Sequence, residues 1–338
     1  MRRLLALLPL LATALVGATA APPAAKLLAA SDGERNLRLG ASPGALVVTE
    51  AGAGAQRVRL PPDAEVTAFA ATRRGWVAAG VEEPGSGAAA DLLLFASRDG
   101  EVRRLPAPPR AGGSLRRSPV PLVAAGHLSG IAWLEGDGER RLAVHAAAWD
   151  GGEWQGATRV APPGPGSQLA LSGAVLADGS WLLAWSAFDG ADDEILWSVR
   201  QGAGWSEPRR VAADNAVPDI TPAVAATADG ARLAWSRYDG ESYRLLLAHW
   251  QGDGWSEPEV VGGPGTLFPS WEPLPRGPGL LFRRAVPGEW VLLELDAGSR
   301  PRRTTTLAGP PLPRPIAVER DGRVRLLLPS ERPAATRR

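Results

Sequence analysis

Acidic residues follow a repeated tryptophan at a spacing that would gather carboxylates on one surface. The element Trp-x-x-x-Asp-Gly occurs three times, and its aspartates are Asp137, Asp189 and Asp239. Asp192–Glu194 adds further acid beside Asp189. Carboxylate oxygens suit Ca²⁺ or a cationic ligand, but the spacing is not that of an EF-hand loop. Because Asp-Gly also makes tight turns, a binding role and a turn role both stay open, and we assign no metal.

Arginines form a second group that could bind a ligand, because several fall near the ends of predicted loops. They are Arg116, Arg117, Arg237 and Arg283. Guanidinium groups that converge on one point bind a carboxylate or a sulfate through paired hydrogen bonds. The alternative is that they are exposed and solvated, as most surface arginines are.

A single tryptophan lies in the Pro-rich stretch Phe268–Pro273 and has no partner in the repeat. An aromatic side chain in a loop can stack on a ligand, so Trp271 is a candidate. Trp271, together with the charged and aromatic candidates named below, completes the predicted ligand-binding set. That set is Arg116, Arg117, Asp189, Asp192, Asp214, Arg237, Tyr238, Asp239, Trp271 and Arg283.

Other kinds of site lack their signatures. His127, His145 and His249 have no metal-ligand spacing, and there is neither a Gly-x-Ser-x-Gly elbow nor a Gly-rich phosphate loop before a helix. The basic segment Pro106–Arg117 has no interleaved aromatic residues, which argues against nucleic acid. We therefore expect no cofactor and no nucleic-acid partner.

The elements that position these residues repeat at intervals of fifty positions. Leu183-Ala184-Trp185-Ser186 leads to Asp189-Gly190 and then to Gly204–Pro208, and the same order recurs from Leu233 to Pro258. Short apolar runs separated by Asp-Gly and Gly-rich turns are typical of propeller blades. The sequence predicts an all-β fold, a β-propeller of four-stranded antiparallel blades with almost no helix.

Six blades are the simplest count, and seven follow if the region 41–62 forms its own blade. Half-blade signals at both ends predict that the N- and C-terminal strands close the ring, which removes exposed sheet edges. The repeated tryptophans should fill the wedges between blades. They are Trp133, Trp185 and Trp235, placed at the ends of second strands, and Trp154, Trp205 and Trp255 in fourth strands.

The N-terminus has the pattern of a signal peptide over residues 1–20. Arg2-Arg3 precedes the apolar Leu4–Gly17, and Ala18–Ala20 is a small-x-small cleavage site. We expect one propeller domain at 21–331, a disordered tail at 332–338, and no membrane span after cleavage. The formal net charge of +1 gives no field to attract anionic surfaces. The basic side is nearly all arginine, with Lys26 the only lysine, and high Ala, Gly and Pro is typical of a GC-rich bacterial genome. An exported, monomeric protein, periplasmic or extracellular, is expected.

The segments Gly202–Pro208 and Gly252–Pro258, each preceded by Ala-Asp-Gly and Leu-Ala-Trp, resemble the sialidase-like (BNR-type) β-propeller superfamily. Sialidases of this superfamily use three arginines on the substrate carboxylate, a tyrosine nucleophile with a glutamate, and an aspartate acid/base. They also carry Asp boxes, Ser-x-Asp-x-Gly-x-Thr-Trp, which Ser97–Gly100 matches only at its Ser and Asp. The family's nucleophile lies late, whereas Tyr243 is the last tyrosine here.

We therefore expect an exported sialidase-like propeller without sialidase activity. The leading hypothesis is a binding or interaction module for a glycan or an envelope protein. The alternative is a glycoside hydrolase or lyase with a divergent active site on the loop face, since one fold hosts many functions.

Overall fold

The computed structural model describes residues 26–329, apart from 33, 51–53, 84–89, 138–140, 203, 214, 297 and 321. The expected signal peptide at 1–20, the tail at 332–338 and the candidate Asp214 lie outside the described residues. All regular structure within the described ranges is β-strand. No helix long and apolar enough to cross a membrane occurs in this part of the chain.

The described strands form six four-stranded antiparallel sheets, each built from consecutive strands, and these are the blades of a six-bladed propeller. Blade 1 contains β1 (Lys26–Ser31), β2 (Asn36–Ser42), β3 (Ala45–Glu50) and β4 (Ala55–Arg59). Blade 2 contains β5 (Ala64–Thr72), β6 (Gly75–Glu82), β7 (Asp91–Arg98) and β8 (Glu101–Leu105). Blade 3 contains β9 (Leu115–Ala124), β10 (His127–Gly136), β11 (Ala143–Ala148) and β12 (Thr158–Ala161). Blade 4 contains β13 (Gln168–Val175), β14 (Trp181–Phe188), β15 (Asp193–Gln201) and a fourth strand in two pieces, β16 (Gly204–Trp205) and β17 (Arg209–Arg210). Blade 5 contains β18 (Asp219–Thr227), β19 (Gly230–Tyr238), β20 (Tyr243–His249) and β21 (Glu259–Val260). Blade 6 contains β22 (Thr266–Glu272), β23 (Gly279–Arg284), β24 (Glu289–Leu295) and β25 (Pro301–Ala308). The predicted fold class is confirmed, and the region 41–62 lies within blade 1.

The second strand of each central blade is buried on both faces, because neighbouring blades cover it. In β14, every residue from Trp181 to Ala187 is buried. Trp133, Trp185 and Trp235 are 0% exposed, which confirms their predicted packing role. The prediction that these strands end at the tryptophans is wrong, because each strand continues for three more residues, of which two in blade 3 and three in blades 4 and 5 pair with the third strand.

The innermost strands of blades 3 to 6 contain a β-bulge near their start. One residue in each bulge has positive φ: Ser118 (51°), Ala170 (49°), Thr221 (56°) and Phe268 (57°). Proline follows this residue in three of the four blades. A proline is tolerated there because a bulge removes a ladder hydrogen bond and an innermost strand is an edge strand. Arg116 and Arg117 lie at the start of β9, next to the end of a loop as predicted, whereas Trp271 lies on β22 and its predicted loop position is wrong.

The ring closes where the two ends of the chain meet. After blade 6, β26 (Ile316–Arg320) and β27 (Arg323–Leu327) form a separate two-stranded sheet. β26 contacts β1 and β27 contacts β25, so the terminal strands lie side by side as predicted. The N-terminal hairpin itself belongs to the complete blade 1 and does not share a sheet with the C-terminal hairpin.

Candidate functional site

The strand order gives the propeller two different faces. The loop face carries the second-to-third connections, such as 189–192, and the blade-to-blade connections, such as 211–218. The hairpin face carries the first-to-second and third-to-fourth turns, such as 73–74 and 99–100. Most of the sequence-predicted residues lie at the loop face, where consecutive blades bring together groups that are far apart in the chain.

Arg116 is completely buried and joins blades 2 and 3. Its Nε atom donates to Glu135 at 2.9 Å, and its Nη1 atom donates to Asp91 at 3.0 Å and to the Pro108 carbonyl at 2.8 Å. Burial opposes the ionisation of Glu135, but the hydrogen bond from Trp133 and the attraction of Arg116 outweigh it and lower the pKa of this carboxyl. Arg116 is therefore held inside the protein, while its neighbour Arg117 is partly exposed and pairs with Glu83 at 3.3 Å.

Arg237 and Asp219 form a similar pair within blade 5, where they lie opposite each other on β19 and β18. Arg237 donates to both carboxylate oxygens of Asp219 at 2.7 and 2.6 Å, and Trp235 donates its indole N–H to the same carboxylate at 3.1 Å. Asp219 is 1% exposed, and its hydrogen bond to Arg237 raises the pKa of the guanidinium. A two-point pair of this kind fixes the rotamers of both side chains.

Three predicted acidic residues gather beside this pair. Carboxylate oxygens of Asp189, Asp192 and Glu194 lie within 4.8 Å of one another. Burial, and then the charge of Asp219, raise the pKa of Glu194 to about 7. Asp189 uses one oxygen for the N–H groups of Ala191 and Asp192 and the other for Arg210 at 2.8 Å. The donor set is of the type that Ca²⁺ prefers, although turn formation occupies Asp189.

Tyr238 and Asp239 stabilise the turn between β19 and β20 of blade 5, at the loop face. The Tyr238 hydroxyl donates to the Gly240 carbonyl at 2.9 Å. Asp239 accepts hydrogen bonds from the backbone N–H groups of Glu241 and Ser242 and forms an ion pair with Arg244. The bond from Ser242 and then the contact with Arg244 lower its pKa to about 2. These contacts support the turn-forming interpretation of Asp-Gly.

The last two predicted residues lie in blade 6 and do not join the acidic cluster. Arg283 is 8% exposed, and its guanidinium lies 5.8 Å from the centre of the Trp290 ring. Trp271 donates its indole N–H to the Ala223 carbonyl at 2.9 Å. Its side chain also lines a cavity of about 380 Å³ formed by the ends of the inner strands, together with Phe69 and Asp32.

A second polar site, which no sequence motif indicated, lies between blades 2 and 3 at the hairpin face. It is a cavity of about 360 Å³ that lies against β6, β7 and β8 on one side and the start of β10 and Trp149 on the other. Two hydrogen bonds across the blades frame it. The Arg73 N–H donates to the Gly126 carbonyl at 2.7 Å, and the Trp154 indole N–H donates to the Pro106 carbonyl at 2.7 Å.

The lining of this inter-blade cavity combines an exposed ion pair with polar groups that have no partner among the described residues. Arg74 holds Asp99 through two contacts of 2.6 and 2.5 Å. The exposed side chains of Glu101, Arg103 and His127 make no hydrogen bond or ion pair with any described residue. Trp149 adds an aromatic wall next to them. The cavity therefore offers donors, acceptors and an apolar face to a ligand.

The equivalent junctions of other blades are filled by tryptophan. Between blades 4 and 5, the Trp197 and Trp250 rings are 5.0 Å apart. Between blades 3 and 4, Trp181 packs so closely that a Cβ atom on Gly130 would lie 2.2 Å from its ring. Counted from the start of the second strand, blade 2 has Phe95 at the position of Trp197. Blade 2 therefore has no tryptophan at this position.

Comparison with known proteins supports the fold. No protein-family model matches the chain, and no curated protein matches its sequence. A six-bladed fungal lectin from Aleuria aurantia with a fucose recognition mode is similar, with 12% identity and a TM-score of 0.51 over 85% of this chain and 96% of the lectin. The lectin SapL1, solved with α-methyl fucoside, gives 9% identity and a TM-score of 0.50 over 86% of this chain and 97% of that one.

A puromycin-hydrolyzing peptidase from Mycobacterium tuberculosis is also similar, with 17% identity and a TM-score of 0.55. The likeness covers 88% of this chain, which spans about half of the peptidase, 49%. At these identities the similarity shows a β-propeller fold and no more. The finer assignment to the sialidase-like superfamily stays a prediction.

Proposed function

We propose that the protein is an exported carbohydrate-binding propeller whose sugar site is the inter-blade cavity between blades 2 and 3. One observation carries the proposal: Glu101, Arg103 and His127, whose side chains make no hydrogen bond or ion pair among the described residues, line the same cavity as Trp149. Sugar hydroxyls both donate and accept hydrogen bonds, and the C–H face of a sugar ring packs on an aromatic ring. A few convergent polar groups in a cavity of this volume are typical of small-molecule sites.

The ion pair of Arg74 with Asp99 also lines the site, with both side chains about half exposed. Because these charged groups are accessible, they can donate to and accept from sugar hydroxyls. The similarity to two propeller lectins supports the proposal at the level of the fold. Export rests on the N-terminal pattern of Arg2-Arg3, Leu4–Gly17 and Ala18–Ala20.

Calorimetric titration of the purified protein with a panel of monosaccharides tests the proposal. For the sugar that binds, Arg103→Ala should weaken binding about three- to tenfold, because one hydrogen bond contributes roughly 0.5–1.5 kcal/mol. Arg302→Ala is the matched control, because Arg302 is an exposed arginine on β25 of blade 6. No binding of any sugar, or equal losses in the two variants, would refute this site.

A glycoside hydrolase is the second candidate, and the acidic cluster favours it. Asn215 Nδ2 lies 3.5 Å from Glu194 and 3.4 Å from Asp219, so two carboxyls flank one amide. Glu194, with its pKa raised to about 7, would be the acid, and the Arg237-paired Asp219 the carboxylate. Both side chains are 1% exposed, which favours the binding function. Release of fluorogenic glycosides that is lost in Glu194→Gln would reverse that preference, and the same assay with a sialoside and Tyr238→Phe tests sialidase activity.

A further inference from the structure

A different cavity opens at the loop face, where the ring closes. It has a volume of about 750 Å³ and is enclosed by the first residues of β1 and β5 and by the segment Leu312–Arg314. Both strands are innermost strands that begin at the loop face. The cavity therefore lies on the opposite face from the proposed sugar site and shares no residue with it.

The walls of this closure cavity are mainly apolar. Leu27, Leu28, Leu60 and Val66 contribute side chains, and prolines from three connections make part of the rim. Leu312 stands at the edge with 76% of its surface exposed. An apolar cavity of several hundred cubic ångströms with an exposed leucine at its mouth favours a ligand with an aliphatic body.

The charged groups of the cavity are few. Lys26 and Arg314 lie in the lining with Glu65, and Arg314 is paired with the buried Glu272 at 3.0 Å, which leaves Lys26 as the cation for a ligand. The contact of Lys26 with Glu65 is 2.9 Å long, and the two side chains are 40% and 66% exposed. An ion pair this exposed stabilises the protein little, so a ligand carboxylate can replace Glu65 beside the ammonium group.

A buried hydroxyl in the lining of the closure cavity offers a ligand a second polar contact. The Oγ1 atom of Thr67 is buried and has no hydrogen-bond partner among the described residues. Thr67 lies at the bulge of β5 and lines the cavity. A buried hydroxyl without a partner is unfavourable, and a polar ligand atom or water in the cavity would relieve it.

We propose that the closure cavity binds an amphipathic carboxylate, with an aliphatic chain along Leu27, Leu28 and Leu60 and a carboxylate beside Lys26. This site is separate from the proposed sugar site, and its test does not depend on sugar binding. The probes are octanoate and decanoate below their micelle concentrations, with decanol as the uncharged analogue.

Chain length gives the first test. Each methylene buried in an apolar cavity strengthens binding about fourfold, so decanoate should bind about fifteenfold more tightly than octanoate in calorimetric titration. Equal affinity for the two chains would contradict burial of the aliphatic body. Absence of binding at millimolar decanoate would overturn the proposal.

Lys26 is the only lysine in the chain, which gives a direct readout of the head group. Reductive methylation followed by peptide mass spectrometry reports this amine separately from the N-terminal one. Decanoate should slow methylation of Lys26 in proportion to occupancy, and Lys26→Met should weaken decanoate binding about three- to tenfold while leaving decanol unchanged. An unprotected Lys26, or equal effects on decanoate and decanol, would overturn the proposed orientation.

Two exposed residues of the loop face provide a matched pair that leaves the core intact. Leu312→Ser at the rim should weaken decanoate binding severalfold. Val286→Ser changes an equally exposed residue, at 81%, that does not line the cavity, and it should have no effect. Equal losses in both variants would indicate nonspecific adsorption to the loop face and would refute the site.

Discussion

Replacing Glu194 by glutamine should change how the stability of the protein depends on pH. Glu194 is 1% exposed, and among the described residues its hydrogen bonds are two long ones from Asn215, at 3.4 Å from the backbone N–H and 3.5 Å from the amide. Burial, followed by the negative charge of Asp219, raises its pKa from 4.5 to about 7. Glutamine keeps the shape of the protonated side chain and removes the titration.

The sign of the effect follows from proton linkage. Below pH 4.5 the carboxyl is protonated in both folded and unfolded chains, and its favourable contribution is fully present. As the pH rises from 4.5 to about 7, the unfolded chain releases the proton while the folded chain retains it, so stability falls. At 1.36 kcal/mol per pKa unit, the loss is about 3 kcal/mol and is complete above pH 7.

Urea unfolding followed by tryptophan fluorescence between pH 4.5 and 8.5 measures this difference. The free energy of unfolding of Glu194→Gln minus that of the wild type should rise by about 3 kcal/mol across the range. Glu153→Gln, at an exposed glutamate on the hairpin face, controls for the loss of one charge. A difference between Glu194→Gln and wild type that stays constant, or that falls as pH rises, would refute the reasoning.

Three further predictions concern the stability of the fold, and urea unfolding at pH 7 checks each. Trp235→Phe removes a hydrogen bond to the Asp219 carboxylate, whereas the indole N–H of Trp185 has no partner among the described residues. Trp235→Phe should therefore lower the free energy of unfolding by about 1.5–3 kcal/mol more than Trp185→Phe does. Equal losses would contradict this. Ala170→Gly, at φ 49°, should stabilise by up to about 1 kcal/mol, whereas Ala174→Gly in the same strand should destabilise by about as much; destabilisation by both would count against strain at the bulge. Arg116→Met leaves a buried carboxylate without its cation and should cost about 3–5 kcal/mol, and a cost under about 1 kcal/mol would show that the pair contributes little.

The sequence predicted the blades well because one pattern serves every blade. A tryptophan such as Trp185 is needed wherever two sheets pack face to face, so its recurrence marks the architecture directly. Pro269 misled the prediction, because a proline normally argues against a strand, whereas here it lies in a bulge of β22. Local sequence signals do not reveal that a strand lines a channel and tolerates the missing donor.

The sites were less predictable because their chemistry depends on partners from other blades. Nothing near Arg116 in the sequence shows that Asp91 and Glu135 enclose it completely. The inter-blade cavity is lined by Asp99 and Glu101 of blade 2 and by His127 and Trp149 of blade 3, which are far apart in the sequence. Such a site is visible only when the two blades are placed side by side.

The contiguity of each blade has a consequence for how such a chain can evolve. Every four-stranded sheet is encoded by one uninterrupted stretch, with no strand borrowed from the other end of the chain. A tandem duplication of about fifty codons therefore adds a whole blade that already contains its own turns and packing residues. The matching segments Leu183–Pro208 and Leu233–Pro258 occupy equivalent positions in adjacent blades. They are what a recent duplication of one blade would leave, and the ring accommodates a new copy by inserting it between intact neighbours.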